Sequence, residues 1–131
     1  MQHTMQNFCP VYRSEEKMLE GKNKLLSLLN DFKNIKINDQ SLIWNTEVIE
    51  ALELKNLLSQ AIVSVDSALN RKESRGAHSR IDYSKRDDKK WLKHSLIWAN
   101  KKGKTETRFR KVNLQTNSKE IKTIEPKARV Y

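Results

Sequence analysis

From Val48 to Leu69 the chain repeats apolar residues at helical spacing: Val48, Ile49, Leu52, Leu57, Leu58, Ala61, Ile62, Val65 and Leu69. A stripe that wide belongs to a helix buried on two sides, so the segment predicts a helix packed against two others. Asn45 supplies the N-cap, with Trp44 beside it at the helix opening. Two partner helices precede it. Met1, Met5 and Phe8 fall at i, i+4 and i+7 of a short helix that Pro10 ends. Ser14 then stands before Glu15, Glu16 and Lys17, a cap followed by acids in the first turn, where the helix dipole favours negative charge. Met18, Leu25, Leu28, Leu29, Phe32 and Ile35 continue that second helix, and residues 34–41 read as a polar connection. The simplest architecture is a small helical bundle over residues 1–70 with a short first helix.

Beyond Asn70 both the pattern and the charge change. Residues 1–69 carry 7 Lys/Arg and 9 Asp/Glu, a net −2, whereas residues 70–131 carry 19 and 7, a net +12. Residues 71–90 are rich in Arg and Lys with few apolar side chains and read as irregular structure. Trp91 to Asn100 and Thr105 to Leu114 are extended candidates around Lys101-Lys102-Gly103-Lys104, which predicts a hairpin with Gly103 at positive φ. Thr116 to Tyr131 is polar coil, broken by Pro126. With 3 Gly and 2 Pro in 131 residues, a turn-rich multi-strand fold is excluded.

Catalytic signatures are missing. His3, His78 and His94 lack metal-ligand spacing, and Cys9, the one cysteine, cannot form an internal disulfide or a thiolate zinc cage. Cys9 reads as a buried thiol on the first helix, and Asp87-Asp88, set between Lys85-Arg86 and Lys89-Lys90, as a solvated charge run. No glycine-rich phosphate loop and no nucleophile elbow occurs. No apolar run approaches a membrane span, and the N-terminus lacks a signal-peptide pattern. The densest constellation is Arg71-Lys72-Glu73-Ser74-Arg75-Gly76-Ala77-His78-Ser79-Arg80. There Gly76 lets backbone approach a partner, and Arg75 and Arg80 can grip carboxylates or phosphates in a bidentate fashion. A basic half of this size with Trp91, Trp98, Tyr83 and Phe109 as stacking candidates also raises nucleic-acid binding as an alternative.

The same stretch, with Asp82-Tyr83, Arg86-Asp87-Asp88, Trp91 and Lys93-His94, resembles the C-terminal domain of succinate dehydrogenase and fumarate reductase flavoprotein subunits. Met1-Gln2-His3-Thr4-Met5-Gln6-Asn7 is similar to the first bundle helix of that family. Trp44-Asn45 with Glu50-Ala51-Leu52-Glu53-Leu54 and Asn56-Leu57-Leu58 resembles its long third helix. Pro126-Lys127-Ala128-Arg129-Val130-Tyr131 resembles its Pro-x-x-Arg-x-Tyr ending. The chain departs from the family after His78, where Ser79-Arg80-Ile81-Asp82-Tyr83-Ser84-Lys85 has one acid fewer and an added lysine.

The resemblance implies a mainly α fold, a spectrin-like three-helix bundle followed by an irregular basic tail with a short β-hairpin. It implies one flavoprotein C-terminal domain over 1–131: a bundle over 1–70 whose first helix is truncated, then a basic docking loop, hairpin and tail over 71–131. Met1 falls within the family's first helix, so the chain is expected to be a piece of a longer subunit. Arg71, Arg75, Gly76, His78, Arg80 and Arg129 are then expected to dock this domain on the flavin domain and support flavinylation. FAD and the dicarboxylate site belong to the upstream domains, so no catalytic, cofactor-binding or metal residue is expected here. The implied partners are the flavin-binding and capping domains and, indirectly, the iron–sulfur subunit, with no nucleic acid and no direct membrane insertion. The implied location is the cytoplasm or the inner face of a bacterial inner membrane, or the matrix side in a mitochondrion. A piece deprived of its partner could instead remain largely unfolded.

Overall fold

A computed structural model describes residues 1–118 and 120–127. Among the described residues the chain forms four helices, α1 (Gln2–Phe8), α2 (Glu15–Asp31), α3 (Thr46–Asn70) and α4 (Asp88–Trp91), with a 3-10 turn at Phe32–Asn34. Two small sheets complete it. In one, β1 (Tyr12–Arg13) runs parallel to β2 (Ser79–Arg80); in the other, β3 (Lys93–Ala99) is antiparallel to β4 (Thr105–Lys111), with Ser95 opposite Phe109. The domain is mainly α, and no helix among the described residues is long and apolar enough to cross a membrane.

Both long helices begin where their caps predict. The Ser14 hydroxyl accepts from the Lys17 N–H at 3.4 Å, and the Asn45 side chain accepts from the Val48 N–H at 3.0 Å. Met18, Gly21 and Leu25 bury one face of α2 against Ala61, Ile62, Val65, Ala68 and Leu69 of α3, with Met1, Met5 and Cys9 packed at the margin. Gly21 sets how close α1 comes. A Cβ there would stand 2.5 Å from the Phe8 Cβ, so only hydrogen permits the approach.

The predicted α3 stripe is buried over its second half only. Val48, Ile49 and Leu52 remain 38–59% exposed, because α3 has 25 residues and α2 has 17, and Leu57, beside the buried Leu58, is also 48% exposed. At 1.5 Å per residue α3 outruns α2 by about 12 Å. The second flank of α3 rests on β3 rather than on helix alone.

The hairpin follows its expectation. Gly103 has φ 76°, and its turn is closed by Asn100 N–H to Lys104 O at 2.9 Å. The sequence did not signal that the turn is inserted into the core: a Cβ on Gly103 would lie 2.6 Å from Leu26 Cδ2 and 3.1 Å from Leu29 Cδ2. Gly103→Ala is therefore expected to cost about 2–3 kcal/mol, the left-handed backbone and the overpacked leucines adding together. Gly76 has a similar φ of 58° with nothing within 4 Å of a Cβ, so Gly76→Ala should cost about 1 kcal/mol. Urea midpoints of the two variants measure the difference; equal losses would show that the hairpin tip does not pack on the helices.

Candidate functional site

The arginine-bearing run leaves the C-terminus of α3 and is folded by its own carboxylates. Glu73 is fully buried. Its Oε1 accepts from Arg71 Nη1 at 2.6 Å and Arg75 Nε at 2.8 Å, and its Oε2 from Arg75 Nη2 at 3.1 Å and the Asp87 N–H at 2.9 Å. Burial opposes its charged form, but these hydrogen bonds outweigh it and hold the carboxyl below its ordinary range. Arg75 reaches on to Asp88 at 2.6 Å, and Arg86 takes the other Asp88 oxygen at 2.8 Å. Arg71 Nη1 also donates to the Trp91 carbonyl at 3.0 Å, tying α4 and the start of the hairpin to the same carboxylate.

Arg80 is buried to 1% exposure. Its Nε and Nη2 grip Asp82 at 2.7 and 2.6 Å, and Nη1 donates to the Ala68 and Leu69 carbonyls at 3.0 and 3.1 Å. Asp82 in turn accepts the Glu15 N–H at 3.0 Å. The pair thus satisfies the last carbonyls of α3 and the first N–H of α2, placing positive charge on one helix end and negative charge on the other. The Arg80 hydrogen bonds lower the Asp82 pKa to about 2.

Of the expected docking residues, Arg71, Arg75 and Arg80 are thus brought together, but their guanidinium groups bind carboxylates of this chain. Gly76 and Ala77 form the exposed tip of a turn closed by Arg75 N–H to His78 O at 2.8 Å and His78 N–H to Arg75 O at 3.0 Å. Arg129 lies outside the described residues. Asp87 and Asp88 are more ordered than a solvated run: Asp87 caps α4 through the Lys90 N–H at 3.1 Å, and Asp88 pairs two arginines. Cys9 sits half-buried just after α1, where burial raises its thiol pKa and Arg13 partly offsets this. Each aromatic proposed for base stacking lies beside a cation of the chain: Trp91 and Phe109 with Lys93, Tyr83 with Arg80, Trp98 with Arg108.

His78 joins the two halves. Its Nδ1 faces Arg13 Nη1 at 2.8 Å and its Nε2 faces the Arg71 carbonyl at 3.0 Å. Only the neutral ring with the proton on Nε2 satisfies both. Burial lowers its pKa, the Arg71 hydrogen bond offsets part of this, and the charges of Arg13, Arg80 and Arg71 lower it further. The unfolded histidine therefore takes its proton at a higher pH than the folded one. The contribution is complete above the ordinary value of 6.5 and is lost as pH falls below it. Stability is expected to fall as pH drops below 6.5, and His78→Gln should flatten that slope. An unchanged slope in the variant, read from urea midpoints, would place the proton elsewhere.

Comparison with known proteins extends over the whole chain. A family profile described as fumarate reductase flavoprotein C-term matches residues 1–131. A succinate dehydrogenase flavoprotein subunit of Rickettsia bellii is 49% identical over 131 residues, covering 100% of this chain and 22% of the relative. The mitochondrial succinate dehydrogenase flavoprotein subunit of Oryza sativa is 46% identical, with 100% and 21% covered. Among solved structures, a quinol fumarate reductase FrdA variant from E. coli superposes with a TM-score of 0.82 at 34% identity, over 95% of this chain and 22% of that one. The chain thus spans about a fifth of the length of the relatives it matches, and the nucleic-acid alternative finds no support among them.

Proposed function

The chain belongs to the fumarate reductase and succinate dehydrogenase flavoprotein family, matching its C-terminal part, and from that membership we propose that it is the C-terminal domain of a succinate dehydrogenase flavoprotein subunit. In this reading the complete subunit oxidises succinate to fumarate and passes the electrons through FAD. This domain, with a spectrin-like helical half and a basic loop, hairpin and tail over 71–131, packs on the flavin-binding and capping domains. Its own residues do not fit FAD. Of its glycines, Gly21 is pressed against Phe8 and Gly103 against Leu26, and Gly76 forms an isolated turn. None opens a helix as a phosphate cradle requires.

The observation that carries the docking role is the exposed Gly76–Ala77 tip, held by a buried network whose arginines are already paired. A rigid, internally satisfied turn can meet a partner without ordering cost. Arg71, Arg75, His78 and Arg80 act by shaping that tip rather than by reaching across the interface. Arg129, outside the described residues, is given a docking role by the family resemblance alone. Association with the iron–sulfur subunit follows through the assembled flavoprotein, and the location is cytoplasmic or peripheral on the inner face of the membrane.

Co-purification with a companion polypeptide that supplies the upstream domains tests the reading. Bound flavin absorbance and succinate-dependent dye reduction are expected only when both pieces are present. Equal activity of the upstream piece alone would overturn the requirement for this domain.

A further inference from the structure

Arg13 differs from the arginines around it. Arg71, Arg75, Arg80 and Arg86 each pair with a carboxylate. Arg13 donates Nε to the Pro10 carbonyl at 2.8 Å and Nη1 to His78 at 2.8 Å, and it pairs with no carboxylate among the described residues. It lines an open cleft of about 500 Å³ between α1, α3 and β3, together with Arg71 and His78. Ser64 and Ser67, one turn apart on α3, add two hydroxyls to the same wall, and Met5, Val63 and Ile97 make the rest of it apolar. A half-buried guanidinium without a counter-charge, flanked by hydroxyl donors, is a site for an anion; the Arg71 guanidinium beside it is already taken by Glu73 and the Trp91 and Lys93 carbonyls. The apolar walls favour an anion carried on carbon over a bare inorganic one.

We propose that this cleft binds a carboxylate group on a short carbon skeleton, with Arg13 as its charged partner and Ser64 and Ser67 as further donors. The carboxylate belongs to a small free acid or to an acidic side chain of another polypeptide; the chemistry is the same. The site is defined on this chain alone and does not depend on the assignment to an assembled flavoprotein.

Titration of the chain with glutarate at constant ionic strength, read from the His78 ring signals by NMR, tests it. The signals are expected to shift to saturation with a Kd on the order of 1 mM. Inorganic phosphate is expected to compete poorly. Arg13→Gln should weaken glutarate roughly tenfold or more. Because Arg13→Gln also removes the His78 contact, Ser67→Glu provides a second variant. It introduces a carboxylate into the cleft and should abolish glutarate binding while the chain stays folded. Shifts that do not saturate, that sodium chloride reproduces, or that survive unchanged in both variants would overturn the proposal. Addition of the upstream flavin-domain piece separates the two sources. Loss of glutarate binding, with His78 shifted as glutarate shifts it, assigns the carboxylate to that polypeptide. Retained glutarate binding in the assembled subunit assigns it to a free acid.

Discussion

Arg80→Leu is expected to lower the unfolding free energy by about 2–4 kcal/mol, a large share of what a domain of this size possesses. Leucine refills part of the volume but leaves two α3 carbonyls without donors, and Asp82, which lies at the surface and keeps the Glu15 N–H, loses its guanidinium partner. Hydrophobic gain cannot offset this, because the loss is the desolvation of groups left behind rather than the worth of the contact. Arg80→Lys should recover only part, since an ammonium cannot span Asp82 and the helix end together. The acid range offers a second readout. Asp82, held near pKa 2, contributes stability that is present above its ordinary 3.8 and lost as pH falls toward 2. In Arg80→Leu that slope should shrink to what the Glu15 N–H still supports. A double variant, Arg80→Leu with Asp82→Leu, should lose less than the two single losses summed, since each removes the other's partner. Strict additivity would mean that the pair does not hold the helix ends together.

The helices were legible because their signals are local. Ser14 and Asn45 cap the elements they precede, and Gly103 marks its turn, each through a short-range preference that tertiary packing reinforced. Membership of the family was legible in the run from Arg71 to His78. The internal use of that run was not. A basic stretch in sequence looks like a surface, and the net +12 of residues 70–131 encouraged reading the arginines as outward-facing. What decides their fate is the few acids among them, and these act at long range. Glu15 meets Lys72 and Arg80 from 57 and 65 residues away, so the acidic half neutralises part of the basic half across the fold. One signal was available: Arg71, Glu73 and Arg75 alternate, which in an extended segment puts all three side chains on one face.

Glu73 is accordingly the residue whose removal should reach furthest. Glu73→Ala is expected to cost about 3–5 kcal/mol, because it leaves the largely buried Arg71 and the Asp87 N–H without their carboxylate, holds Arg75 by Asp88 alone, and opens a cavity. Glu73→Gln keeps the shape and separates charge from volume. The amide retains one acceptor oxygen but turns its NH2 toward a guanidinium, so a loss of about 2–3 kcal/mol is expected from charge alone. The damage should be directional. Arg71 also supports the Trp91 and Lys93 carbonyls, and Asp87 caps α4, so amide exchange should quicken first in α4 and at the start of β3, ahead of α2. The tip at Gly76 loses its anchor through Arg75 at the same time. Complementation with an upstream flavin-domain piece should then weaken even at temperatures where the helices remain folded. If Glu73→Gln matched the parent chain in both exchange and complementation, the carboxylate would be filling space rather than organising the arginines, and the shaped-tip account of docking would fail with it.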